Sequence, residues 1–413
     1  MTDSLSTTIK QCRICGSREI NSFLELGAQP PANSLRARVS ELLPRFPLTL
    51  CRCANCTAVQ LTETVKPEHL FRHYVWVTGT SATAKSYSGL FYTEAAKRFK
   101  KSTGLVVEVA SNDGTFLGVF KDNGWNVLGV DPAENIAKIA NDRGVNTLCD
   151  FFGDTVARQI LLKEGPADFV FARNVIPHVA DVHDVIAGIK RCMHPQGTGA
   201  IEFHYAGGIL EGLQYDSIYH EHLFYYSLKS IQFLLARHGL YAFDLIDSPI
   251  SGGSLVLYIS HSGDKKLLTD KLMDAMAAEE SSGLNTLATW EKFSRDCRDH
   301  KRKLTAIIAR EKGKVVIGYG ASARSSTLLN YCAINKDHLV CIADQNPLKH
   351  NTFTAGTDIP IVSPRDAFSK KPDAVLLLAW NFKEEIMALL KNKYHFHGRV
   401  IFPLANDPQV VSL

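Results

Sequence analysis

Val106-Val107-Glu108-Val109-Ala110-Ser111-Asn112-Asp113-Gly114-Thr115-Phe116-Leu117 is the stretch whose reading decides the fold of this chain. It opens as a short apolar run, as a buried parallel strand does. It then breaks at a small, polar, Gly-containing turn and resumes with apolar residues at helical spacing. Strand, tight loop and helix start thus follow one another, and a ligand can lie over such a loop against free backbone N–H groups. The next strand reads Asn126-Val127-Leu128-Gly129-Val130-Asp131-Pro132 and ends in an acid 23 positions after Glu108. An acid at the tip of the second strand of a βαβ unit is placed to accept hydrogen bonds from two ribose hydroxyls. The dinucleotide fingerprint G-x-G-x-x-G is absent, because Glu108 and Asn112 stand where glycines would lie against a pyrophosphate. The plainer alternative is an ordinary α/β turn with no ligand.

Outward from this unit, strands are expected near 145–149, 168–171 and 199–203 as well as 105–109 and 126–130, with helices between them. Such alternation implies a mostly parallel sheet with right-handed crossovers, and functional groups gather at the carboxyl ends of its strands. Asp150-Phe151-Phe152 follows the third strand and can flank an adenine. Arg173-Asn174-Val175-Ile176-Pro177-His178 follows the fourth, and Glu202-Phe203-His204-Tyr205 the fifth. Late strands are expected at 240–245 and 254–261, joined through Ser251-Gly252-Gly253. Between these elements lies Tyr215-Asp216-Ser217-Ile218-Tyr219-His220-Glu221-His222-Leu223-Phe224-Tyr225-Tyr226-Ser227, in which two histidines flank a glutamate among four tyrosines. H-E-H is not the H-E-x-x-H zinc helix, since residues at i and i+2 face apart on a helix. General acid–base work by His222 or its neighbours is the sharper reading, and a hydrogen-bonded loop without chemistry the plainer one.

At 413 residues the chain exceeds one usual core, so two or three domains are expected. It is 45% hydrophobic and 21% charged, with net charge +4, the composition of a soluble globular protein. No basic stripe interleaved with aromatics points to nucleic acid, and no apolar run is long enough to span a bilayer. A cytoplasmic protein is expected. Its ten cysteines then read as metal ligands where they cluster and as free thiols elsewhere. They cluster as Cys12-Arg-Ile-Cys15-Gly16 and Cys51-Arg-Cys53-Ala-Asn-Cys56, two C-x-x-C knuckles about 37 residues apart. Cys12, Cys15, Cys53 and Cys56 read as a closed, structural zinc site with Cys51 as the spare thiol. Such a site holds together a small lobe that could not bury enough core alone.

Residues 71–81 bring aromatics, Tyr74 and Trp76 among them, up to a run of small hydroxyl residues. They read as a connector into a helix over 82–100, capped by Thr80 or Ser81. Tyr74 and Trp76 either pack the zinc lobe onto the next domain or wall a substrate. Residues 264–312 read as a pair of connecting helices. The chain then starts again as α/β at Lys314-Val315-Val316-Ile317-Gly318-Tyr319-Gly320-Ala321-Ser322-Ala323-Arg324, with further strands at 340–344, 374–379 and 400–403. The G-x-G is truncated, so the turn around Tyr319, Ser322 and Arg324 suits phosphate or sugar hydroxyls better than a dinucleotide. A docking domain with a tight turn is the alternative.

The loop at 108–114 resembles motif I of class I S-adenosylmethionine (SAM) methyltransferases in the variant E-x-x-x-N-D-G. By that resemblance Glu108, Ser111, Asn112, Asp113 and Gly114 surround the methionine end and Asp131 with Pro132 holds the ribose. Phe151 and Phe152 then flank the adenine, and Asn174 lies above the donor. The joint pattern is two cysteine knuckles, E-V-A-S-N-D-G-T-F-L, I-Y-H-E-H-L-F-Y-Y-S and G-Y-G-A-S-A-R. It resembles, over nearly the whole chain, the C-methyltransferases that act on nucleotide-linked deoxy-4-keto sugars. The family implies an α/β chain in three parts: a zinc-binding lobe (1–68), a SAM-dependent Rossmann-like methyltransferase domain (69–265), and a helical connector with a second Rossmann-like domain (266–413). It also implies SAM and structural Zn2+, a dTDP- or other NDP-linked sugar as substrate, and no nucleic-acid or membrane partner. A monomer is expected, with a dimer the alternative. His222 becomes the acid–base group, with Glu221, Tyr219 and His178 beside it. Tyr74, Trp76, His204, Tyr205, Tyr319, Ser322 and Arg324 become substrate contacts. Three positions depart from the family pattern: Trp76 stands where a second tyrosine is usual, Ser251 where histidine is frequent, and Arg324 where lysine is frequent. An O- or N-methyltransferase, a non-catalytic zinc- and nucleotide-binding module, and more remotely an NAD(P) oxidoreductase on Gly318 and Gly320 are the competing readings.

Overall fold

The computed structural model describes residues 5–39, 41–67, 70, 77–250, 252–404 and 407–413. Tyr74, Trp76 and Ser251 lie outside the described residues, so the expected aromatic wall and the Ser251 position carry no structural statement.

The strand predicted at 105–109 forms as Leu105–Val109, buried on both faces as its unbroken apolar run requires. It lies inside a seven-stranded sheet. On one side it pairs with Asn126–Val130, which pairs with Thr147–Leu148. On the other it pairs with Ala167–Arg173 and then Met193–His204, all in parallel. The late strands Ser254–His261 and Leu240–Ser248 complete the sheet in antiparallel register. Chain order therefore runs outward in opposite directions from the Leu105–Val109/Ala167–Arg173 pair. That reversal splits the two following loops and opens a crevice at the carboxyl ends of these strands. Phe91, Phe116, Phe120, Phe169 and Phe171 stack beneath it in edge and offset geometries, with centroids 5.1–6.4 Å apart where they touch. The helix predicted over 82–100 forms as Ala82–Ala96, with the Ser81 hydroxyl accepting the Ala84 N–H at 3.2 Å.

The N-terminal lobe is a sheet of Ile20–Gln29, Phe46–Cys53 and Val59–Leu61, extended by a fourth strand that comes from far along the chain: Phe224–Tyr225. The predicted connector is two helices, Asp270–Ser281 and Leu287–Ala309, separated where Gly283 takes φ +68°. The second buries Trp290, Phe293, Cys297, His300, Leu304 and Ile308, a stripe at helical spacing. The C-terminal domain is a second seven-stranded sheet, in which Val316–Tyr319 pairs in parallel with Cys341–Ala343 on one side and Ala374–Leu377 on the other. It shares the reversal of the first. The lobe also reaches this domain. The backbones of Arg36 and Phe353 exchange hydrogen bonds at 3.1 and 2.8 Å, and the Arg36 guanidinium pairs with Asp358. Among the described residues no helix is long and apolar enough to cross a membrane.

Candidate active site

The turn after Leu105–Val109 is shaped by backbone demands that only certain residues meet. Asn112 sits at φ +50° and Gly114 at φ +75°. A Cβ on Gly114 would stand 2.9 Å from Val145, so glycine is required there both by conformation and by space. Asp131, at the tip of the next strand, accepts the Asn112 N–H at 2.8 Å through Oδ2 and the Ala133 N–H at 2.9 Å through Oδ1. The acid thus fixes the loop, and each oxygen keeps a lone pair for a further donor. Burial raises its pKa. Pro132 follows it directly.

Asp113 serves the loop itself. Its fully enclosed carboxylate accepts from the Gly79 N–H at 3.0 Å, the Thr115 hydroxyl at 2.7 Å and Arg143. Glu108 is different: it is 2% exposed and its Oε2 has no hydrogen-bond partner. Burial holds its pKa well above the ordinary carboxylate value, opposed by the Arg173 guanidinium. The Ser111 hydroxyl is also buried without a partner. An unsatisfied buried carboxyl oxygen near the carboxyl end of its strand fits a ligand that brings hydrogen-bond donors and positive charge, as the methionine end of SAM does. Phe152 is half-buried and Phe151 is exposed, while Asn174 at φ +53° turns the chain off the fourth strand.

Arg173, just before Asn174, opens the stretch expected after the fourth strand but was given no role of its own. It donates through Nε to Glu202 at 2.8 Å and lies 3.1 Å over the Phe116 ring. Glu202 is completely buried, and its other oxygen accepts from the Ser248 hydroxyl at 2.7 Å.

Beside this crevice the H-E-H segment is pinned from both sides. The Leu223 N–H donates to the Pro177 carbonyl at 2.7 Å, and the Leu223 carbonyl accepts the Leu61 N–H of the N-terminal lobe at 2.9 Å. The three histidines are therefore sorted by geometry. His222 and His178 stand together, with ring centroids 4.6 Å apart and edge-on at 84°. The Tyr219 hydroxyl lies 2.7 Å from His222 Nε2. His220 points the other way, its Nε2 3.2 Å from the Phe46 and Pro47 carbonyls, and holds the lobe in place.

Burial pushes the His178 pKa down to about 4, against backbone hydrogen bonds to Glu221 and Asn174. Burial, together with the charges of His178, His204 and Arg324, holds His222 well below its ordinary value, so it is a neutral imidazole at neutral pH. Glu221 is 2% exposed; its Oε1 accepts from the Asn33 amide at 2.7 Å, while Oε2 has no partner. Burial raises its pKa to about 7, which the Asn33 hydrogen bond opposes.

The predicted substrate contacts divide. His204 is nearly enclosed, and burial with the Arg324 charge brings its pKa down to about 3. Arg324 lies 5.3 Å over the Trp380 ring, and its charge acts on His204, His222 and Asp216. Tyr205 donates to Glu279 of the connector at 2.9 Å. Tyr319 is buried in its own domain, accepting from Gln345 at 3.0 Å beside Phe368. Ser322 caps the helix Ala323–Tyr331 by accepting the Ser325 N–H at 3.2 Å. These last three side chains are thus occupied in structural bonds. Sequence reasoning assigned Asn33, Asp216 and Trp380 no role in the site. Trp380 Nε1 donates to the buried Asp216 Oδ2 at 2.6 Å and joins the two Rossmann-like domains beside Arg324.

In the N-terminal lobe the Sγ atoms of Cys12, Cys15, Cys53 and Cys56 all lie within 4.8 Å of one another. A tetrahedral zinc ion with bonds of about 2.3 Å needs sulfurs about 3.8 Å apart, so the four converge on such a centre. Gln60 Nε2 donates to Cys12 Sγ at 3.1 Å, as an outer-shell partner of a thiolate does. Cys51 stays outside the cluster, and burial raises its pKa to about 12.

The strand order, the acid-clasped loop with its unsatisfied carboxylate and the four converging thiols define a class I SAM-dependent methyltransferase carrying a structural zinc site. Family models agree along the chain. Residues 12–71 match "Putative zinc binding domain", residues 86–244 "Methyltransferase domain" and residues 249–405 "C-methyltransferase C-terminal domain". The chain is 32% identical to the C-methyltransferase NovU of Streptomyces niveus over 409 residues, 98% of this chain and 97% of that one. It belongs to this family of SAM-dependent C-methyltransferases, as its motifs implied. Among solved structures, the PH0226 protein of Pyrococcus horikoshii OT3 is 17% identical, with a TM-score of 0.38 over 47% of this chain and 98% of that one. Magnesium protoporphyrin IX methyltransferase of Synechocystis PCC 6803 is 12% identical, with a TM-score of 0.33 over 44% and 80%.

Proposed function

We propose that this enzyme methylates C3 of a nucleoside-diphosphate-linked deoxy-4-keto sugar through an enolate, in the cytoplasm. The observation that carries this reading is the neutral His222 imidazole, bonded to Tyr219 and set against His178 beside the cofactor crevice. Carbon is a poor nucleophile until it carries charge, and a neighbouring ketone supplies that charge once a base removes the proton at C3. The half-buried, neutral His222 imidazole can accept that proton. The negative charge that develops on the C4 oxygen needs hydrogen-bond donors, each worth about 2.7–4 kcal/mol by analogy with oxyanion-hole deletions. Tyr219 and His178 are the groups at hand. Glu221 orients the sugar hydroxyls or His222. Arg324 meets the anionic diphosphate. Glu108, Ser111, Asn112 and Asp131 hold SAM, which supplies an electrophilic methyl when bound.

The test is incubation with SAM and a panel of nucleotide-linked deoxy-4-keto sugars, read as a gain of one methyl by mass. A second reading is exchange of the C3 proton for solvent deuterium without SAM. Exchange at C3 and methyl on carbon support the reading. Methyl on oxygen or nitrogen, without exchange at C3, overturns it.

A further inference from the structure

The zinc lobe has so far been a support. One of its side chains goes further. Residues 29–36 form a loop whose stem is buried at Gln29, Pro30, Pro31 and Ala32, and two successive prolines restrict its backbone. The Asn33 amide projects from this loop onto Glu221 Oε1 at 2.7 Å, across 188 positions of sequence. Glu221 is 2% exposed and its Oε2 has no partner, so Asn33 is the only hydrogen-bond donor that the described residues give this carboxyl. The loop cannot drift, because it is anchored on two other sides. Arg36 pairs with Phe353 and Asp358 of the C-terminal domain, and the Arg45 guanidinium donates to the Gly356 carbonyl at 3.3 Å. On the methyltransferase side, Phe224–Tyr225 pairs with Val59–Leu61, and His220 meets the Phe46 and Pro47 carbonyls.

We propose that Asn33 is a positioning residue for methyl transfer: its amide fixes the carboxyl of Glu221, the residue next in the chain to His222, so the zinc lobe completes the active site. The inference rests on the reading above that Glu221 works in that site. A hydrogen bond to the ionised form favours that form, so losing it leaves a buried carboxyl more readily protonated and free to rotate. Burial and the Asn33 amide are the two influences on the Glu221 carboxyl, and the Asn33 amide is the one that favours its ionised form.

The experiment compares Asn33→Ala, Glu221→Gln and the double variant. Zinc content and SAM affinity serve as checks of folding, and the keto-sugar nucleotide that turns over in the panel assay is the substrate. The expected result is a fall in kcat of about tenfold for Asn33→Ala, the loss of one hydrogen bond to a charged group. Zinc content and the Kd for SAM stay as in the wild type, and the acid limb of the rate profile moves to higher pH. In the Glu221→Gln background Asn33→Ala has little further effect, since both act through one carboxyl. A substrate-free readout is the titration of 13C-labelled glutamate by NMR, with the Glu221 signal assigned by its loss in Glu221→Gln. Its midpoint moves upward in Asn33→Ala. An unchanged midpoint, or equal losses from Asn33→Ala in both backgrounds, overturns the proposal. Full activity of Glu221→Gln instead removes the reading on which it rests.

Discussion

The Tyr219 hydroxyl lies 2.7 Å from His222 Nε2, and the two rings overlap with centroids 4.1 Å apart. A phenol in that position fixes the imidazole plane and bonds its Nε2. Replacing His222 by Ala removes the base, and methyl transfer falls about 10²–10⁴-fold. Tyr219→Phe keeps the imidazole but loses the bond, for a loss of about tenfold. Single-turnover methyl transfer at saturating SAM separates the two. Near-normal transfer by a folded His222→Ala protein removes His222 from the role of base.

Glu221 makes stability depend on pH in a defined direction. Its folded pKa, about 7, lies above the ordinary 4.5, so the folded chain keeps a proton that the unfolded chain has released. The stability linked to this proton is present below pH 4.5 and is lost as pH rises through about 7. Glu221→Gln lacks this loss. Its stability relative to the wild type rises with pH over that window, by about 1.4 kcal/mol per pH unit at most. Thermal midpoints at pH 5 and pH 8 measure it, and a difference that does not change with pH counts against the shift.

Asp131 joins the two halves of the cofactor loop through the N–H groups of Asn112 and Ala133. Asp131→Ala leaves both donors without their acceptor and removes the proposed ribose contact. The Kd for SAM, measured by titration calorimetry, rises about 10–100-fold, as the loss of one or two such bonds dictates. An unchanged Kd places the ribose elsewhere.

The lobe binds one zinc per chain, and Cys56→Ser loses it, as elemental analysis will read. Because Phe224–Tyr225 is a strand of the lobe's own sheet, removing the metal loosens the segment that carries His222. The Asn112 loop belongs to a different sheet. Chelated protein therefore loses methyl transfer while it still binds SAM. Loss of both functions together would show that the lobe supports the whole methyltransferase domain.

What the sequence disclosed, it disclosed through local patterns. The Glu108–Asp131 unit is legible because strand, turn, helix and terminal acid follow one another within one βαβ unit. The thiol cluster is legible because each knuckle is four residues long. Even the break in the connector was marked, by Gly283. The site was less legible wherever its bonds span domains. Asn33 meets Glu221 across 188 positions and Trp380 meets Asp216 across 164, and no periodicity encodes either meeting. Histidine spacing alone could not sort His220 from His222; that needed the Phe46 and Pro47 carbonyls on one side and His178 on the other. Tyr205, Tyr319 and Ser322 were expected as substrate contacts from the family resemblance, and no local pattern disclosed that their hydrogen bonds also tie the connector, the C-terminal core and a helix start.

The loop at 29–36 also sets a timetable. A ribosome releases Asn33 long before Glu221, and Arg36 is made 322 residues ahead of Asp358. The first part of the chain to emerge must therefore wait, its thiols already able to take metal, until the last domain has been translated and closes onto it. A nascent chain stopped short of that domain lacks the far anchor of the loop.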